Sequence, residues 1–173
     1  MNVDSIRSAI RDVPDFPKKG IIFKDITPVL ADPALFSQAI DIFVERHKGK
    51  GIGKVAAIDA RGFIFGSAVA YKLGAGLVPI RKKGKLPYKT QEASYDLEYG
   101  SATIAVHVDA FKKDEKVLLI DDLLATGGTA AAAAKLIESA GGKLVEIDFL
   151  IELAFLNGRA KLAGHQVFSA ITF

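Results

Sequence analysis

Apolar positions along this chain follow two periods, and one short uninterrupted run is the most informative. Val117, Leu118, Leu119 and Ile120 read as a strand buried on both faces, since a half-exposed strand would alternate apolar with polar. The run ends at Asp121 and Asp122, and Ala125-Thr126-Gly127-Gly128-Thr129 follows. An alanine-rich helix then extends to Ala140, where Gly141 and Gly142 stop it. Helical spacing also links Val3, Ile6, Ile10 and Val13 in a segment closed by Pro14. Asp32 and Pro33 open a longer helix through Ala34 to Arg46, with Leu35, Phe36, Ala39, Ile40 and Phe43 on its apolar face.

The remaining pattern alternates strands with helices. Strands are expected over 54–58, 76–81, 102–108 and 143–152, with an edge strand over 167–173. A helix is expected over 63–73 and a short helical turn over 156–162. Residues 81–94 carry no apolar period and read as one long loop, of the kind that forms a lid, although a solvated charged loop has the same signature. This order predicts an α/β fold with a central, mostly parallel sheet flanked by helices, within one domain spanning 1–173.

Strand, acidic pair, glycine loop and helix place the loop at the carboxyl edge of a parallel sheet, where α/β proteins bind ligands. Free N–H groups at a helix N-terminus suit a phosphate. No Lys follows the glycines as in a Walker A loop, and the G-x-G-x-x-G spacing is absent. Asp121 and Asp122 would repel a bare phosphate, so they call for hydroxyl donors or a cation beside it. A phosphorylated sugar such as ribose 5-phosphate supplies both. The plainer alternative is an acidic turn that caps the helix, which needs one oxygen rather than this whole arrangement.

Composition narrows the class. Of 173 residues, 50% are hydrophobic and 25% charged, so the chain is globular and long enough for a sizeable core. It contains no cysteine, which excludes thiol catalysis and a disulfide scaffold and fits a reducing compartment. No apolar run reaches the roughly 20 residues of a membrane span, and residues 1–12 are too charged for a signal peptide, so a cytoplasmic protein is expected. The net charge of +3 is concentrated: Arg81, Lys82, Lys83, Lys85 and Lys89 fall within nine positions, which a polyphosphate substrate explains better than nucleic acid does. His47, His107 and His165 share no ligand spacing, so neither a transition-metal site nor a Ser-His-Asp triad is predicted.

The stretch VLLIDDLLATGGT resembles the phosphoribosyl pyrophosphate (PRPP) signature of the type I phosphoribosyltransferases, closest to their adenine-specific branch. Three further segments, in the same order as in that family, resemble it too: PDFPKKGIIFKDIT at 14–27, DARGF at 59–63 and ASYDLEYG at 93–100. The resemblance runs from Pro14 to about Arg159. It implies the type I phosphoribosyltransferase fold, with a small N-terminal hood over the base (1–33) and a flexible lid loop and hairpin (81–103). The implied reaction converts adenine and PRPP to AMP and pyrophosphate, with Mg2+ arriving on PRPP rather than in a protein cage. A homodimer is implied as well, and no partnership with nucleic acid or membrane.

The resemblance also distributes roles. Asp121 and Asp122 would address the ribose hydroxyls, although neighbours in an extended chain point to opposite sides and one of them could orient the loop instead. Ala125, Thr126, Gly127, Gly128 and Thr129 would hold the 5′-phosphate. Arg61, with Arg81 and Lys85, would hold pyrophosphate, on a loop expected to carry a cis peptide between Asp59 and Ala60 or between Ala60 and Arg61. Backbone of Ile22 and Lys24 would meet the edge of the base while Phe23 stacks on it; by itself Phe23 reads as a core side chain. Lys24 stands where many relatives carry Arg. Glu98, supported by Tyr99, would handle the purine proton, whereas a lone Glu in a hairpin is ordinarily a surface residue.

Rival functions are another base specificity, such as xanthine or guanine, a DNA-binding PRPP sensor, and a polyphosphate-binding structural protein. A sensor of this fold is expected to carry a winged helix ahead of it, and fewer than about sixty residues precede Asp59.

Overall fold

The computed structural model describes residues 3–96 and 100–173. Its largest sheet has seven strands in the order β5-β6-β4-β3-β7-β8-β9. These are β3 (Lys54–Ile58), β4 (Gly76–Lys82), β5 (Thr90–Asp96), β6 (Ser101–His107), β7 (Lys116–Leu124), β8 (Lys143–Glu152) and β9 (Val167–Thr172). β4, β3, β7, β8 and β9 run parallel, and the β5–β6 hairpin adds to β4 antiparallel. This is an α/β architecture with a central, mostly parallel sheet.

Every residue of β3 after Lys54 is buried, as are Val117 to Ile120, because helices cover both faces. On one face Val55, Leu118 and Ile120 pack against α3 (Pro33–His47) and α4 (Gly62–Leu73), where Phe65 is fully buried beside Phe36 and Phe43. On the other, Ala56, Ile58 and Leu119 meet α5 (Gly128–Ser139). The Asp32 carboxylate accepts from the N–H groups of Ala34 and Leu35, which starts α3 where the Asp-Pro pair predicts it.

Several expected boundaries move. The first helix, α1, stops at Ala9, and Arg11–Pro14 (β1) pairs antiparallel with Ile22–Asp25 (β2) in a separate two-stranded sheet. Val13 therefore belongs to a strand, since pairing with Phe23 outweighs a period shared by only four apolar residues. A short helix, α2 (Thr27–Ala31), follows, with Asp25 accepting from the N–H and hydroxyl of Thr27.

Half of the long loop expected over 81–94 is strand. β4 continues to Lys82 and β5 begins at Thr90, which leaves 83–89 as the connection. In β5, following the half-buried Thr90, the positions Gln91, Ala93 and Tyr95 are half-buried, with Glu92 and Ser94 exposed between them. That two-residue period is hidden in sequence because Gln91 is polar, and its amide oxygen accepts from the Ser139 hydroxyl of α5. β7 likewise runs past the acidic pair to Leu124, because the ten-residue β8 templates it through Leu123↔Ile151 and Leu124↔Glu152. The turn over 156–162 is two 3₁₀ turns, Ala154–Leu156 and Gly158–Leu162, separated by Asn157 at φ 52°.

Candidate active site

β3 connects to β4 on one side of the sheet, while its other neighbour is β7, so the strand order reverses between β3 and β7. A crevice opens at such a point beyond the carboxyl ends of the strands. Pairing of Ala57 with Ile120 brings Asp59-Ala60-Arg61 alongside Asp121-Asp122. The peptide between Asp59 and Ala60 is cis, one of the two positions the resemblance implies.

A cleft of about 270 Å³ lies here, lined by Ala60, Arg61, Asp121, Asp122, Leu123 and Thr129 among others. It adjoins a smaller cavity of about 80 Å³ formed by residues 123–130 and Asp121, and the two share Asp121, Leu123 and Thr129. The smaller one is the phosphate-sized end. Gly127 precedes α5 with φ 78°, and no side chain among the described residues caps that helix, so its N-terminal N–H groups face the cavity without a competing oxygen.

Arg61 ties the crevice together. Its Nε lies 2.9 Å from Asp122 Oδ2, and its guanidinium carbon stands 5.2 Å from the centre of the Phe23 ring. Phe23 is half-buried and meets Phe16 edge-on at 5.2 Å, so it stands beside Arg61 and is not the core side chain its residue type suggests. Ile22 is exposed. Lys24 turns its ammonium to Asp12 at 2.6 Å and over the Phe173 ring at 4.1 Å, which leaves only its backbone for the crevice.

The acidic pair is electrostatically tense. Burial, and then the charge of Asp122, pushes the Asp121 carboxyl well above the usual carboxylate range. Burial raises Asp122 as well, opposed chiefly by Arg61. The Asp121 Oδ1 accepts from the Asp122 N–H at 2.9 Å, so one acid braces the backbone of the other.

The basic residues are less convergent than expected. Arg81 donates from Nε to Asp59 Oδ2 at 2.9 Å and from Nη1 to the Lys85 carbonyl at 3.0 Å, so it reaches the crevice through Asp59. Lys85 is exposed. Glu98 and Tyr99 lie outside the described residues. Five cleft residues carry no expected ligand role: Ile58, Asp59, Ala60, Tyr95 and Leu123. All but Ile58 lie inside the recognised motifs, and the half-buried Tyr95 follows the two-residue period of β5.

One cluster far along the sequence was invisible to ligand spacing. His47 Nε2 is 2.7 Å from Asp148 Oδ2 and 3.7 Å from Glu146 Oε2, all three side chains being buried. Arg46 donates to Glu146 from Nε at 3.1 Å, and the Lys50 ammonium lies 3.9 Å away. With two cations already on Glu146, the cluster is an ion-pair bolt between α3 and β8. Burial raises the Asp148 carboxyl, and the hydrogen bond from His47 opposes it.

A sequence profile described as the phosphoribosyl transferase domain matches residues 25–163. The chain belongs to this family. The adenine phosphoribosyltransferase of Geotalea daltonii is 56% identical over 171 residues, covering 99% of this chain and 100% of its own. Crystal structures of family members superpose closely. Adenine phosphoribosyltransferase from Thermoanaerobacter pseudethanolicus gives a TM-score of 0.96 at 50% identity, over 99% of this chain and 100% of that one. The Saccharomyces cerevisiae enzyme, crystallised with an imino-altritol bisphosphate and adenine, gives 0.93 at 38% identity over 97% of each chain. The fold is the type I phosphoribosyltransferase fold. Among the described residues, no helix is long and apolar enough to cross a membrane.

Proposed function

We propose that this phosphoribosyltransferase joins adenine to the ribose of PRPP, yielding AMP and pyrophosphate. The observation that carries the reading is the meeting of an acidic pair, an uncapped helix N-terminus and an Arg-bearing loop at the β3–β7 reversal, with an aromatic ring beside the Arg. The names of relatives at 50–56% identity support adenine as the base.

In this reading the loop 125–129 binds the 5′-phosphate through backbone N–H groups. Asp121 and Asp122 accept from the ribose hydroxyls. Arg61 exchanges its present partners for pyrophosphate, with Arg81 and Lys85 adding positive charge as the lid over 81–103 closes. The base lies under the hood of residues 1–33, on Phe23, with backbone of Ile22 and Lys24 at its edge. N9 of adenine bonds to C1 of the ribose as the bond from C1 to the pyrophosphate oxygen breaks. The electron pair leaves with pyrophosphate, and the proton lost from the purine passes to Glu98, which Tyr99 orients.

Mg2+ fits this set, since carboxylates and substrate oxygens are hard donors; with Asp121 and Asp122 given to the ribose hydroxyls and Asp59 paired with Arg81, the ion would be held mainly through PRPP. When bound it neutralises charge developing on pyrophosphate. We also propose a cytoplasmic homodimer. Ile64 and Tyr71, seven residues apart on α4, and Leu77 of β4 are exposed apolar side chains that suit a second copy. Sedimentation returning a fully active monomer would remove that assembly.

The decisive assay incubates radiolabelled adenine with PRPP and Mg2+ and scores AMP. Label converted to AMP is expected; consumption of guanine or xanthine in place of adenine would reassign the base.

A further inference from the structure

The 5′-phosphate loop is supported from behind by a segment with no contact to the crevice. Gly127 and Gly158 approach so closely that a Cβ on either would strike backbone of the other side. One on Gly158 would fall on the Ala125 carbonyl oxygen and stand 3.1 Å from the Gly127 nitrogen; one on Gly127 would meet the Gly158 carbonyl. Gly127 needs glycine for its φ of 78°, but Gly158 is outside the left-handed region. At Gly158 the demand is for space alone.

Gly158 begins the second 3₁₀ turn, and its neighbour Arg159 fixes that turn to the sheet. The Arg159 guanidinium grips both carboxylate oxygens of Glu152, with Nε at 2.8 and 3.0 Å and Nη2 at 2.7 Å. It donates further to the Val167 carbonyl at 3.0 Å and the Ser169 hydroxyl at 3.3 Å, both on β9. Glu152 is buried and in register with Leu124, the residue before the loop, while the Leu153 N–H bonds the Leu124 carbonyl at 2.9 Å. Two strand ends, one turn and the loop thus share one set of bonds. A planar fork held at four acceptors leaves the turn little freedom.

We propose that Gly158 and Arg159 are positioning residues for the 5′-phosphate loop, holding residues 125–127 in the curvature that aims their N–H groups at the phosphate. This rests on the assignment of that loop in the function proposed above. Neither residue touches substrate. The arrangement acts first on the phosphate end: among the described residues Arg159 bonds neither β1 nor β2, and the hood meets this region only farther off, where Lys24 lies over the Phe173 ring.

The test compares wild type with Gly158→Ala, Arg159→Ala and Arg159→Lys. It reads KM for PRPP and for adenine separately, ribose 5-phosphate binding by calorimetry, and the thermal midpoint. Gly158→Ala is expected to raise KM for PRPP and weaken ribose 5-phosphate binding by about tenfold or more, with KM for adenine within about twofold; a 1.4 kcal/mol displacement gives that factor. Arg159→Ala should move the same two quantities less, and Arg159→Lys should restore part of the loss. An unchanged KM for PRPP, or equal rises for both substrates, overturns the proposal. Should Gly158→Ala not fold, the Arg159 pair decides by the same two criteria. Wild type failing to bind ribose 5-phosphate at all would instead sink the assignment of the loop.

Discussion

The Arg61 guanidinium bridges Asp122, at 2.9 Å from Oδ2, and the face of Phe23, 5.2 Å from the ring centre. One side chain on the β3–α4 connection thereby links an acid near the carboxyl end of the central strand to an aromatic ring of the N-terminal sheet. Arg61 thus satisfies a buried carboxylate and lies over an aromatic ring. Under the proposed function, pyrophosphate and the base would replace both contacts.

In the proposed function, Arg61→Ala removes a charged donor for the departing pyrophosphate. kcat/KM for PRPP should fall about 10²- to 10³-fold, the usual cost of losing one such donor. Arg61→Lys should recover only part of it, since an ammonium lacks the planar fork. Steady-state kinetics with PRPP varied at saturating adenine makes the comparison, and a loss confined to KM for adenine would contradict the role.

The raised carboxyl of Asp121 gives a proton signature. Its folded form binds a proton more tightly than the unfolded chain does, so the stability it contributes is complete below the ordinary value of 3.8 and is lost as pH rises through the elevated one. Ribose hydroxyls donate to carboxylates, so the ligand favours the ionised pair. Affinity for ribose 5-phosphate should rise with pH across that window, with proton release on binding. Calorimetry in two buffers of different ionisation enthalpy measures the sign, and Asp121→Asn should abolish the release; proton uptake would contradict it.

Glu98→Gln should lower kcat by about 10²- to 10⁴-fold, the span typical of a lost general acid–base group, with both KM values within a few-fold. Burst experiments in the reverse direction, from AMP and pyrophosphate, should show the same deficit. Undiminished turnover would remove Glu98 from the mechanism.

Glu152 supplies a stability test with the opposite sign to Asp121. The Arg159 hydrogen bonds hold its carboxyl below the usual glutamate value of 4.5. The stability it adds is present above that value and is lost as pH falls through the lowered one. Glu152→Gln should reduce the thermal midpoint at neutral pH by about 3–6 °C, from roughly 1.5 kcal/mol for a charge-assisted bond at this chain length. The gap should narrow as the medium is acidified; a constant gap down to pH 3 would mean that the carboxylate charge is idle.

Much of this was legible in residue order. The double-sided burial of β3 and β7, the Asp32 cap, the glycine loop and the acidic pair are local chemistry, set by residues within a few positions of one another. So is strand β8, whose bounds match the expected 143–152. Tertiary structure decided what depends on a partner: β1, which pairs with a strand about eleven residues away, and β5, whose inward Gln91 finds α5. The bolt of His47 to Asp148 and the seat of Gly158 under Gly127 join residues separated by 101 and 31 positions. Periodicity reports which face of an element is buried. Only the packed chain determines what that face meets.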